Sequence, residues 1–229
     1  MVKHRSALGD ELAAIAAAVV ASGAISANGH GNISLRVPGR DEFLFSTAPT
    51  LHGLESGHVA RISLDGTVLE GELPPINNAV VGMHTAIYQD RPETGCVLHT
   101  HSPCATAFAV AGKPIDCWVE AMAMFGLGDG VPIADYGPRG SDQAVANIRK
   151  AMTSATHAVL LANHGVLVFH PSARLAVQLG SIIEESAQMA IFAHALGGPN
   201  VIPAEMRAAA LQRFEAFAAQ GGARPKKKR

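Results

Sequence analysis

Two short apolar runs that each stop at a histidine constrain this chain more than any other feature. The first, Cys96, Val97 and Leu98, leads straight into His99, Thr100 and His101. The second, Ala158 to Ala162, stops at Asn163, His164 and Gly165 and resumes as Val166, Leu167, Val168 and Phe169. Runs of that length read as buried strands, the second pair as a hairpin or a kinked strand. In a strand, residues two apart project from one face, about 6.6 Å apart along the chain. His99 and His101 can therefore converge on one ion while Thr100 points away. His164 is the natural third ligand, because it too ends an apolar run and Gly165 lets backbone come close to whatever is bound. Three neutral imidazoles with an open position are expected of a catalytic metal rather than a structural one. His4, His52, His58, His84, His157, His170 and His194 read as ordinary core or surface histidines.

Around these strands the periodicity alternates. Leu8, Leu12, Ile15 and Val19 share a helical face, with Gly23 standing where that helix would stop. A loop rich in Gly and Asn, Asn28 to Ser34, feeds a strand at Leu35 to Val37, and Phe43 to Phe45 form the next. Val59 to Leu69 carries an Asp65–Gly66 pair and reads as a hairpin. Pro74 and Pro75 break the chain, and from about Asn77 to Gln89 the residues Val80, Val81, His84, Ile87 and Tyr88 repeat at helical spacing. Ser102 and Pro103 open a helix through Val110. Two further helices are expected over Ser172 to Leu196 and Ala204 to Ala218. This order predicts one α/β domain over residues 1–229, a three-layer α/β/α sandwich on a mixed, largely antiparallel sheet.

Composition removes several function classes. With 229 residues, 48% hydrophobic and 16% charged, the chain can bury a full core. A net charge of -1 gives no footprint for nucleic acid, and the basic run at 224–229 reads as a solvated tail. Cys96, Cys104 and Cys117 are an odd count without metal-type spacing, which predicts free thiols and a reducing, cytoplasmic setting. Asp10 and Glu11 interrupt the first periodic segment, so neither a signal peptide nor a membrane partner is expected.

Four segments give the chain a family resemblance: GHGNIS (Gly29 to Ser34), HTAIYQDRPETGCVLHTHSP (His84 to Pro103), VPIADYGPRGS (Val131 to Ser141) and LLANHGVLV (Leu160 to Val168). Together they resemble the class II aldolase and adducin family over roughly Leu8 to Leu196. That resemblance implies an α/β/α sandwich, a homotetramer with active sites between subunits, a small-molecule substrate, and one Zn2+ or Mn2+ ion on His99, His101 and His164. In the sugar-phosphate aldolases of this family, a glutamate four residues before the helix histidine takes part in proton transfer; here that position is Val80. The elements that hold a phosphate there are also altered, to Gly29 in the loop, Ser46 to Thr50 after the next strand, and Asn77 and Asn78 before the helix. Losing most of such a cradle removes charge-assisted hydrogen bonds of about 1.5–3 kcal/mol each, so a phosphorylated substrate is disfavoured.

The wording of His30 to Pro38 resembles instead a branch that includes non-oxidative decarboxylases of aromatic hydroxy acids, such as the pyridine dicarboxylate and dihydroxyphthalate decarboxylases. The leading expectation is thus a metal-dependent decarboxylase of a hydroxylated aromatic or heteroaromatic acid. The proton donor in that reading is His30 or Glu120. Arg36 and Arg139 are candidates for a bidentate grip on a substrate carboxylate, and Asn32 and Asn78 for hydrogen bonds to substrate. An aldolase or dehydratase on a non-phosphorylated hydroxy-keto substrate is the second expectation, and a non-catalytic adducin-like assembly module the third.

Overall fold

A computed structural model describes residues 2–222, and side chains over 7–217. The basic tail expected at 224–229 lies outside the described residues. Helix α1 (Val2–Ala21) precedes a run of strands, β1 (Gly31–Arg36), β2 (Glu42–Ser46), β3 (Val59–Ser63) and β4 (Val68–Glu70). Then come α2 (Pro75–Asp90), β5 (Cys96–Thr100), α3 (Pro103–Val110), α4 (Glu120–Met124), β6 (Ile133–Ala134) and α5 (Asp142–Ala151). The hairpin β7 (Ala158–Leu161) and β8 (Gly165–His170) leads to α6 (Ala173–His194) and α7 (Ala204–Gly222).

All eight strands join one sheet in the order β4-β3-β2-β1-β5-β8-β7-β6. Every pairing is antiparallel except β6 with β7. Because side chains alternate across a strand, each strand supplies both faces of the sheet. Ile33, Leu35, Cys96, Leu98, Val166 and Val168 pack with α1, α3 and α6. Phe43, Phe45, Val97, Leu167 and Phe169 pack with α2 and α5. Each fully buried apolar side chain of this kind stabilises the fold by about 1.5–3 kcal/mol relative to exposure. The expected three-layer sandwich is thus present.

Local chemistry explains the boundaries. Pro75 sits in the first turn of α2, where a missing N–H costs nothing, so the helix starts two residues before the expected Asn77. Gly66, at φ 90°, closes the β3–β4 hairpin. Ser172 and Ser141 cap α6 and α5 by accepting hydrogen bonds from the backbone N–H of Leu175 and Ala144. The second apolar pair is a true hairpin, Leu161 opposite Gly165, rather than a kinked strand. Three elements were not expected from sequence: α4, α5 and the two-residue β6.

Candidate metal centre

The central pair of the sheet builds the site. Strand β5 runs between β1 and β8, with Asn32 opposite His99 on one side and Leu167 opposite His99 on the other. His99 lies at the end of β5, on the face turned toward α2, and His101 follows two residues on. The β7–β8 turn brings His164 to the same place. Asn163 adopts φ 58°, a left-handed conformation that asparagine tolerates, and the His164 N–H closes the turn on the Leu161 carbonyl at 2.9 Å. Gly165 is required there, since a Cβ would stand 2.5 Å from the Thr100 carbonyl oxygen and about 3 Å from the His101 and His99 rings.

The three rings form a closed cluster. His99 and His164 have ring centroids 4.7 Å apart, and His101 lies 5.0 Å from each. One nitrogen from each ring lies within 4.8 Å of the other two. His99 Nδ1 donates to the Val166 carbonyl at 3.0 Å, which fixes the tautomer and leaves Nε2 bare. That Nε2 stands 3.1 Å from His101 Nε2. Two imidazole nitrogens sharing a zinc ion, at about 2.0–2.1 Å each and angles between octahedral and tetrahedral, are separated by roughly 2.9–3.4 Å, so the His99–His101 pair fits a metal ion. The donor set is all nitrogen, and no carboxylate joins it among the described residues.

Electrostatics keep the rings in ligand form. Burial, followed by His164 and His101, holds His99 well below the ordinary histidine range. Burial also lowers His101 to about 4, with His164, His30 and Arg139 adding to the effect, and lowers His164 with help from Arg139. Imidazole binds metal only when neutral, so depressed proton affinity preserves the lone pairs at working pH.

The remaining sequence candidates divide by place. His30 is exposed, and its ring meets His101 edge-on at 6.0 Å. Asn32 is buried, accepting a hydrogen bond at Oδ1 from His84 Nε2 at 2.6 Å. A cleft of about 300 Å³ runs between α2 and α5 and is bounded by His164, Asn78, Val80, Arg139 and Ser141. Arg139 is exposed there, donating to the Ile76 carbonyl at 3.0 Å and making no ion pair among the described residues, with Asp65, Asp135 and Asp142 also on the cleft wall. Asn77 is buried, donating to the Ser46 carbonyl at 3.3 Å, and neither it nor Asn78 caps α2, whose N-cap is Pro74.

Arg36 and Glu120 are not brought to the histidines within this chain. Arg36 ends β1 four residues beyond Asn32, about 13 Å along the strand. It lies over the Tyr88 ring at 5.8 Å and 3.7 Å from Asp41, so its charge serves the far end of the sheet. Glu120 opens α4, which packs on α6 and α7, and it does not bound the cleft. One residue missed in the sequence is Glu184, on α6, whose two carboxylate oxygens accept the backbone N–H groups of Cys104 and Ala105 at 2.8 Å. It thereby anchors the N-terminus of α3 directly after His101, a role Ser102 does not take because its hydroxyl donates to the Ala24 carbonyl.

Comparison with known proteins gives this arrangement a lineage. The model of the class II aldolase and adducin N-terminal domain matches residues 10–191. The chain belongs to the class II aldolase and adducin family. A 5-deoxy-D-ribulose 1-phosphate aldolase from Bacillus thuringiensis serovar kurstaki is 30% identical over 216 residues, covering 92% of this chain and 97% of that protein. The L-fuculose phosphate aldolase of Escherichia coli K12 is 28% identical over 189 residues, 82% of this chain and 85% of that one. A solved L-fuculose 1-phosphate aldolase superposes with a TM-score of 0.80 at 25% identity, covering 90% of this chain and 95% of its own. These matches carry the family and the fold of the expectation; the named relatives are aldolases, and none of the three is a decarboxylase. No helix among the described residues is long and apolar enough to cross a membrane.

Proposed function

We propose that this chain is a divalent-metal-dependent lyase that cleaves a carbon–carbon bond in a small hydroxy-oxo compound carrying a carboxylate. The carrying observation is the three-histidine cluster itself, with two imidazole nitrogens 3.1 Å apart beside a cleft that holds the guanidinium of Arg139. Three neutral ligands and no ligand carboxylate leave a bound Zn2+ or Mn2+ with its full charge, and such an ion draws electron density from substrate oxygens as the bond breaks. Arg139 grips the substrate carboxylate at the mouth of the cleft. Asn32 donates to a substrate oxygen, and Asn78 contacts the part of the substrate that lies along α2. His30, next to His101 and open to solvent, takes the hydroxyl proton and returns it to carbon.

The names of the relatives favour retro-aldol cleavage as the first reading. A second reading, decarboxylation of a hydroxylated aromatic acid, is favoured by Val80, which is buried at 3% exposure where the sugar-phosphate aldolases carry their glutamate. Carbon dioxide departs without prior loss of a hydroxyl proton, and the ring carbon takes its proton from His30, so that chemistry tolerates an apolar residue at position 80. The homotetramer implied by the resemblance belongs to the same proposal, with Glu120 reaching a neighbouring subunit's site; light scattering measures the assembly, and Glu120→Gln the role.

Metal-stripped protein reloaded with zinc or manganese would be incubated with hydroxy-oxo acids, sugar phosphates and ortho-hydroxy aromatic dicarboxylates, and products identified by mass. Metal-dependent aldehyde release from hydroxy-oxo acids supports the first reading. Carbon dioxide release moves the assignment to the second, and preferential turnover of sugar phosphates contradicts the carboxylate assignment.

A further inference from the structure

Behind the metal centre runs a line of four buried polar groups that joins α2 to β1. Tyr88, Ser34 and His84 are fully buried and Asn32 is 5% exposed. The Tyr88 hydroxyl lies 2.9 Å from Ser34 Oγ, Ser34 Oγ 2.7 Å from His84 Nδ1, and His84 Nε2 2.6 Å from Asn32 Oδ1. Burial lowers His84 to about 3, so its ring is neutral and carries one N–H. An amide oxygen only accepts, which places that proton on Nε2; a proton on Nδ1 would leave two lone pairs facing each other at 2.6 Å. Nδ1 then accepts from the Ser34 hydroxyl, whose oxygen accepts from Tyr88. Every proton in the line is assigned, and the line runs one way, toward Asn32.

What the line fixes is the free end of Asn32. Its amide nitrogen has no partner among the described residues and is not among the polar atoms sealed from solvent. Asn32 lies opposite His99 on neighbouring strands, and directly opposed residues of an antiparallel pair share a face. Its amide therefore flanks the cluster from the β1 side, whereas the cleft with Arg139 flanks it from α2 and α5.

We propose that His84 is a positioning residue: by donating to Asn32 Oδ1 it turns the Asn32 amide N–H toward the three-histidine site, as a hydrogen-bond donor to an oxygen of a hydroxy-carboxylate or hydroxy-carbonyl substrate. This rests on the metal-site reading above. An unheld asparagine would spend its time among several rotamers and bind the same oxygen less often.

The test uses cobalt-loaded protein and glycolate, a small chelating hydroxy acid whose binding is followed through the cobalt absorption bands. His84→Leu and Asn32→Ala should each weaken glycolate by about tenfold while cobalt affinity stays near wild type. The double variant should bind glycolate no more weakly than Asn32→Ala alone, because His84 acts only through Asn32. Losses that multiply in the double variant, or unchanged binding in Asn32→Ala, overturn the inference and leave the metal reading intact. Failure of wild-type protein to take up cobalt overturns both. Should His84→Leu not fold, Ser34→Ala combined with Asn32→Ala gives the same cycle one step further back. Nitrogen NMR of the histidine rings supplies an independent arm: the proton on Nε2 of His84 is expected, and a proton on Nδ1 overturns the inference.

Discussion

The two faces of the sheet are built from the same strands and do different work. Toward α1, α3 and α6 the central strands present mostly apolar groups, among them Ile33, Leu35, Leu98, Val166 and Val168, all at 2% exposure or less, with Thr100 a buried polar exception held by Ser102 at 2.7 Å. Toward α2 and α5 the same strands present Asn32, Ser34 and His99, buried just as deeply but polar. Buried polar groups without partners are costly, and here Asn32 Oδ1 and the Ser34 hydroxyl are partnered by His84 and Tyr88, and His99 Nδ1 by the Val166 carbonyl. The comparison teaches that this fold packs apolar side chains on both sides of the sheet and sets the histidines and the polar line beside them on one. A change in the apolar packing should be readable separately from a change in the histidines and that line.

The largest effect should come from His101→Ala. Losing a ligand forfeits several kcal/mol of transition-state stabilisation, so metal-dependent turnover should fall by about a thousandfold or more. The metal-free unfolding midpoint should stay near wild type, because His101 is only half-buried; steady-state rates and calorimetry check the two halves. Leu98→Ala, one residue before His99 and on the opposite face, should do the reverse. It should cost about 2–5 kcal/mol in denaturant unfolding, with metal content per folded chain unchanged.

Acid should act mainly through the α2 face, although burial also lowers His157 and His170 on the α6 side. His84 is lowered from 6.5 to about 3 and His101 to about 4. Below about pH 6.5 the unfolded chain therefore takes up protons that the folded, metal-free protein refuses. Stability is full above that pH and falls as pH drops toward 4, with fully buried His84 alone contributing a slope of up to about 1.4 kcal/mol per pH unit. Urea melts of chelator-treated protein between pH 7.5 and 5 should show this slope, and His84→Leu should flatten it. The smallest effect expected is from Ser172→Ala, which removes the α6 cap on the apolar side. It should cost about 1 kcal/mol and leave turnover unchanged.

The histidine cluster was legible because it rests on short-range rules. Period-two alternation sets His99 and His101 on one face, and apolar runs ending at histidines mark where strands stop. The sheet and most helices followed from the same periodicities. What escaped depended on contacts distant in sequence. Glu184 reaches α3 from 80 residues away, and Ser34 meets His84 across 50, so His84 read as an ordinary core histidine. Arg36 was the favoured candidate in the sequence, with Arg139 beside it; the strand direction carries Arg36 away from Asn32, and the cleft holds Arg139 instead. Strand β6 is too short to show alternation, and α5 offers few apolar positions, although Ser141 before Asp142 was a usable cap signal.

Metal analysis of wild-type protein beside His99→Ala tests the central claim most directly. One equivalent of zinc or manganese per chain in the wild type, falling to a small fraction in a folded variant, is the result this account predicts. Equal metal content in the two proteins, or none in the wild type after reloading, would contradict it.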